Sequence, residues 1–146
     1  FLPLALDEAV RATAFMKANL EADGIPVIRT GLQATDQLAN SEVLLAGPYH
    51  PSFGELVEAH MYYLLVARIL ERIQPLLKNT AKDVVIHHHP REHSKIRGMR
   101  KHNVERWLSD YGIKCILKDD LDCLETVVVE YDHIKYVTNK LMLFFV

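Results

Sequence analysis

The chain has 146 residues, 49% hydrophobic and 25% charged, which suits a folded domain and excludes disorder as its dominant state. A net charge of −2 excludes a global attraction to nucleic acid or anionic membrane, so any such affinity needs a local patch. The two cysteines, Cys115 and Cys123, match no disulfide framework and no zinc or iron–sulfur spacing; with no apolar run of about 20 residues to span a bilayer, a cytoplasmic protein without a membrane partner is expected.

Leu6 to Asp23 is predicted helical. Leu6, Ala9, Thr13, Met16 and Leu20 recur at helical spacing, Asp7 and Glu8 suit the first turn, and Gly24 terminates. The same two acidic residues interrupt the amino-terminal apolar stretch and argue against a signal peptide. Phe1, not Met, comes first, so the chain need not begin where its gene does. Val27 to Leu32 is expected as a buried strand, making the opening a helix–strand unit of α/β type. Residues 33 to 53 form a loop ending in Ala46-Gly47-Pro48-Tyr49-His50-Pro51, after which Ser52 and Glu55 compose an S-x-x-E capping box. The helix they open is apolar on nearly every side from Met61 to Leu70, implying a central buried helix that Pro75 ends or kinks.

Beyond residues 78 to 80 the pattern changes. Asp83 to His88 carries a β-branched run, Lys101 to Tyr111 is helical and closed by Gly112, and Ile113 to Leu117 and Thr126 to Tyr131 are strands around the acidic turn 118 to 122. The strand–helix–strand order predicts a right-handed parallel crossover with the third strand returning antiparallel. The apolar tail, Leu141 to Val146, is either a strand or a packed extension. A domain boundary, where there is one, falls near residues 76 to 82, dividing the chain into 1–78 and 79–146.

Four features bear on chemistry. Arg29 and Gln33 flank Gly31 at a strand end, where α/β folds gather ligands, though a structural ion pair is the plainer reading. His50 lies at a helix amino terminus that favours anions, or else in a rigid turn. His87 and His89 would share one strand face at metal-ligand spacing, but nothing in the pattern completes a ligand set, so no native metal is expected; a metal-dependent hydrolase built on them is a rival reading. Finally, Arg91, Lys95, Arg97, Arg100, Lys101 and Arg106 stand against Glu92 and Glu105, a local +4 in a chain of −2. Those cations are either a solvated face or a phosphate or RNA contact, with His102, Trp107 and Tyr111 as candidate stacking partners. Trp107 itself is expected in the core. No nucleophile–base set and no nucleotide-binding loop is found, so no catalytic residue is assigned.

The run Arg29-Thr30-Gly31-Leu32-Gln33-Ala34-Thr35-Asp36, followed by Leu45-Ala46-Gly47-Pro48-Tyr49-His50-Pro51-Ser52-Phe53-Gly54-Glu55-Leu56-Val57-Glu58, resembles the carboxy-terminal region of bacterial radical SAM proteins of the elongator-protein-3-like group. The resemblance is specific over residues 1 to about 60 and looser over 83 to 131. It implies the last helix–strand unit of a partial β/α barrel plus a carboxy-terminal extension with a small mixed three-stranded sheet and helices, α/β or α+β in class. It also implies a [4Fe–4S] cluster and S-adenosylmethionine in a parent enzyme, on a C-x-x-x-C-x-x-C motif that this chain lacks. The expected partners are the amino-terminal barrel of the same protein and tRNA on the 91–106 face, with Arg29, Gln33 and His50 toward substrate or cofactor. A parent resembling oxygen-independent coproporphyrinogen III oxidase and a free-standing RNA-binding module are the alternatives. Without its barrel, the fragment is expected to expose apolar area and self-associate.

Overall fold

The computed structural model describes residues 2–33, 35–38, 44, 46–77 and 83–143. Helix α1 spans Leu6–Ala22, and its Glu8 carboxylate accepts a hydrogen bond from the Ala5 N–H at 3.0 Å, satisfying one donor that a helix start leaves open. Its buried side is not the expected stripe. Val10, Ala14 and Ala18, four residues apart, are buried, while Met16 and Leu20 are exposed. The small side chains let α1 approach helix α2, Phe53–Ile73, closely. The helix thus has two apolar sides, one of them packed.

The strand expected over Val27 to Leu32 does not form. The segment joins no sheet among the described residues, and Ile28 is 97% exposed. Strand-like composition describes a surface that fits a pleated neighbour, and no such neighbour lies beside it among the described residues. The capping box expected at Ser52 and Glu55 is also absent. The Ser52 side chain caps nothing, and its N–H donates to His50 Nδ1 at 3.1 Å instead. Part of the preceding loop, residues 34, 39–43 and 45, lies outside the described residues.

As expected, α2 is the central helix, and Val57, Met61, Tyr62, Leu65, Val66, Leu70 and Ile73 are buried along it. After a short 3-10 turn at Gln74–Leu77 come strand β1 (Val84–His88), helix α3 (His93–Arg97), helix α4 (His102–Tyr111), and strands β2 (Cys115–Asp119), β3 (Val127–Tyr131) and β4 (Ile134–Thr138). The class is mixed α/β, and the sheet has four strands in the order β2-β1-β3-β4, not three. β1 pairs parallel with β2 and antiparallel with β3, as anticipated. The additional β4 returns from β3 through Asp132 and His133, at φ 50° and 66°. Two left-handed residues in a two-residue loop match the right-handed twist of the strands they join.

Register places Val84, Ile86 and His88 on the same sheet face as Cys115, Leu117, Asp119, Val127 and Val129. That is the core face: Val84, Ile86, Val127 and Val129 are all buried in one cluster with α2 and Trp107 of α4. The tail contributes Leu143, also buried, and residues 144–146 lie outside the described residues. No helix among the described residues is long and apolar enough to cross a membrane.

One carboxylate ties these elements together. Glu58 on α2 lies 2.5 Å from Lys17 of α1, 3.0 Å from Lys140 in the tail, and 3.8 Å from Lys95 of α3. Burial alone would raise the Glu58 pKa and lower that of Lys17. The hydrogen bonds and opposite charges outweigh it, so Glu58 is held below its ordinary value and Lys17 above. A depressed carboxylate contributes stability that is present above its unfolded value and lost as pH falls through the folded one. Glu58→Gln should therefore lower unfolding free energy at neutral pH by about 3 kcal/mol, because three cations lose their shared partner. The deficit should shrink as pH is lowered past 4.5, the ordinary value for Glu58; denaturant melts of both proteins across pH 3 to 7 measure it.

Candidate functional site

The basic segment is ordered by what surrounds it. Gly98, at φ 76°, ends α3, and a Cβ there would meet the Asn103 backbone nitrogen at 2.9 Å. Only glycine fits. Arg100 and Lys101 follow at φ 51° and 63°, a left-handed pair without Gly that costs roughly 1–2 kcal/mol per residue. What offsets that strain is buried Asn103, whose amide donates to Ala59 O at 2.8 Å and to Ile96 O at 3.1 Å, joining the turn to α2 and α3. The Lys101 N–H adds a bond to Gly98 O at 3.2 Å.

Of the sequence-predicted cations, Arg91, Lys95, Arg97, Arg100 and Lys101 are all exposed. Lys95 reaches toward Glu58, and the other four have no ion-pair partner among the described residues. Arg106 is different. Its guanidinium lies 3.6 Å over the Tyr63 ring and 4.0 Å from Asp110, so it is half-withdrawn from solvent. Trp107 is buried, with its indole N–H donating to Tyr63 O at 3.2 Å, as expected for a core residue. It is therefore not a stacking surface, and Tyr111 is engaged through its hydroxyl with Glu71 at 3.0 Å.

Between α1, α2 and the 98–106 segment runs an open groove of about 810 Å³, whose polar lining includes Asp7, Arg11, His60, Arg100, Glu105 and Arg106, with Arg11 paired to Asp7 at 3.0 Å. Burial, then the nearby Arg106 and Arg11 charges, lowers the His60 pKa to about 4, so this imidazole is neutral at physiological pH. Arg11 and His60 were not singled out from sequence, because only tertiary packing brings α1 beside Arg100. A smaller hollow of about 240 Å³ is lined by Gly31, Leu32, Pro48, Tyr49, His50 and Phe53. His50 thus borders a cavity while accepting from Ser52. Arg29 and Gln33 are exposed and do not line either hollow.

The histidines divide by direction. His87 leaves the outer sheet face and contacts Glu130 at 2.6 Å; this hydrogen bond is the main reason the Glu130 carboxyl is held below its ordinary value. His89 caps the 3-10 turn Pro90–Glu92, its Nδ1 accepting from the Arg91 N–H at 3.2 Å. The pair proposed from strand alternation is not brought together. His88, His93 and Asp119 converge instead. Tyr62 donates to Glu92 Oε1 at 2.7 Å, and the second Glu92 oxygen is buried without a partner among the described residues.

In comparisons with known proteins, no family model, no curated protein and no solved structure matches this chain.

The hydrogen bonds of Asn103 dictate a measurable cost. Asn103→Ala should destabilise the chain by about 2 kcal/mol, since it strands two buried carbonyls and releases the strained turn. Urea denaturation reads the loss, and faster amide exchange at Gly98 and Lys101 should accompany it.

Proposed function

We propose that this chain is the carboxy-terminal, substrate-recognition or barrel-closing part of a radical SAM enzyme. The observation that carries the reading is the exposure of apolar side chains on α1 and on the segment that follows it. Met16 of α1 is 56% exposed, Leu20, Ile25 and Leu32 are also exposed, and Ile28 stands almost fully in solvent within a strand-like run that joins no sheet among the described residues. A helix with a second apolar face, followed by a strand-like sequence that pairs with no strand among the described residues, is what remains when a final helix–strand unit is separated from a barrel. The motif resemblance over residues 29–58 points the same way.

The [4Fe–4S] cluster does not fit the donors of this chain. The motif needs three cysteines, the chain has two, and both are buried, the Cys115 thiol pushed up to about 12 by burial. On this reading the cluster and most of the S-adenosylmethionine site belong to upstream polypeptide, and the residues here serve recognition. Arg91, Arg97, Arg100 and Lys101 offer unpaired cations to the phosphates of a tRNA substrate, without base stacking by Trp107. A free-standing RNA-binding module would account for those cations but leaves the bare face of α1 and Ile28 unexplained.

The coding sequence upstream of Phe1 tests the reading directly: a C-x-x-x-C-x-x-C motif there supports it, and a start codon just before Phe1 without one overturns it. Two solution measurements follow. Sedimentation of this chain alone should show self-association that Met16→Ser with Ile28→Ser abolishes, while the melting temperature changes little because neither side chain is packed in the core cluster. Arg97→Glu with Arg100→Glu should weaken tRNA binding and flatten the plot of log affinity against log salt by about one to two units. Unchanged affinity removes the basic face from the proposal.

A further inference from the structure

We propose that His88, His93 and Asp119 form a binding site for a divalent first-row transition metal, with zinc as the best match. The inference is independent of the radical SAM reading and departs from the sequence-based expectation of no metal.

The fold assembles the three groups from separate elements. His88 is the last residue of β1, and Asp119 is its direct register partner at the end of β2. The two parallel strands therefore present both side chains from their carboxyl ends on one face, the usual position for ligands in parallel sheets. His93 begins α3, returned to the same place by the turn at Pro90–Glu92. Among the described residues, this is the group of His, Cys, Asp and Glu side chains close enough to share an ion.

The distances match metal bonding. His88 Nε2 lies 3.2 Å from His93 Nδ1, and Asp119 Oδ1 is 3.7 Å from the former and 3.9 Å from the latter. A triangle with those edges has one point about 2.1 Å from all three atoms, which is the bond length of zinc to imidazole nitrogen and carboxylate oxygen. Regular tetrahedral coordination at such bond lengths requires ligand–ligand separations of about 3.4 Å, so the two carboxylate edges need to shorten by up to about half an ångström and the His–His edge to open slightly.

The protonation pattern is suitable as well. His88 Nδ1 lies 3.0 Å from the His89 carbonyl, an acceptor only, so Nδ1 donates there and Nε2 is the atom that faces the other two groups. A histidine ligand held by a backbone carbonyl at its far nitrogen is the supporting arrangement that metal sites use to fix ring orientation. His88 is fully buried and rigid, whereas the His93 and Asp119 side chains are 44% and 64% exposed. The site is walled on one side and open on the other. Three protein ligands with an exposed fourth position allow water, or a substrate oxygen, to complete the shell.

The competing arrangement for the same atoms is a hydrogen bond from His93 to His88 with Asp119 nearby as a counter-charge. Titrating the metal-stripped chain with Co²⁺, followed by its visible ligand-field absorption, separates the two. One saturable site per chain, displaced by Zn²⁺, is expected. Asp119→Asn and His93→Ala should each weaken Co²⁺ binding at least about 10-fold, whereas His133→Ala on the β3–β4 turn should leave it unchanged. Zn²⁺ should raise the melting temperature of the unmodified chain and leave that of the two ligand variants nearly constant. These variants are chosen because both side chains are partly exposed, so the fold survives their loss. Absence of a saturable band, or equal affinity in the unmodified chain and both variants, overturns the site and assigns the contact to hydrogen bonding.

Discussion

The Glu58 carboxylate is the point through which separate parts of this chain depend on one another. Lys17, Lys95 and Lys140 come from α1, α3 and the tail, distant in sequence, and converge on one partly buried anion of α2. Hydrophobic burial is non-directional and would allow α1 to slide or rotate on α2. The narrow face of Val10, Ala14 and Ala18 offers little shape to prevent that. An ion pair shared among three lysines does have direction, and it fixes which way α1 turns. The bare side of α1 follows from this: with Lys17 held against Glu58, Met16 and Leu20 are carried outward.

That orientation has consequences for both candidate surfaces. It aligns Arg11 with Arg100, Arg106 and His60 along one groove, so cations from two distant stretches of sequence share a wall. Because the His60 pKa is lowered, the positive charges on this wall are guanidinium groups, set against the carboxylates of Asp7 and Glu105. Arg100 borders this groove, and the strained pair it forms with Lys101 is held by Asn103. Hydrogen bonds from within the fold thus set its conformation, which is a form of preorganisation.

Local signals made much of this architecture legible. The β-branched run at Val84, Val85 and Ile86, the all-round apolar character of α2 and the glycines at 24 and 112 each act within a few residues, and the corresponding elements stand near where they were expected. Val27 to Leu32 failed because a strand is completed by a neighbour, and local composition does not supply one. β4 was missed for a related reason: Asp132-His133 lacks the Asn-Gly or Asp-Gly signature, yet adopts the same left-handed pair. α3, with five residues, is too short to carry a period. Among the candidate site residues, the exposure of Arg91, Arg97, Arg100 and Lys101 was readable from charge alone. Their alignment with Arg11 was not.

The histidine cluster illustrates the limit most directly. Alternation along β1 paired His87 with His89, and the alternation itself was sound: His87 and His88 do point to opposite faces. The residue that matters was decided by register. Parallel pairing of β1 with β2 sets His88 beside Asp119, and only a tight turn after Pro90 returns His93 to them. A one-residue slip of β2 would send Asp119 to the outer face, where His87 meets Glu130, and disperse the triad. The core prevents that slip, because Cys115 and Leu117 must remain on the face that packs against α2 and Trp107. The hydrophobic pattern of β2 therefore holds the proposed ligand geometry in place.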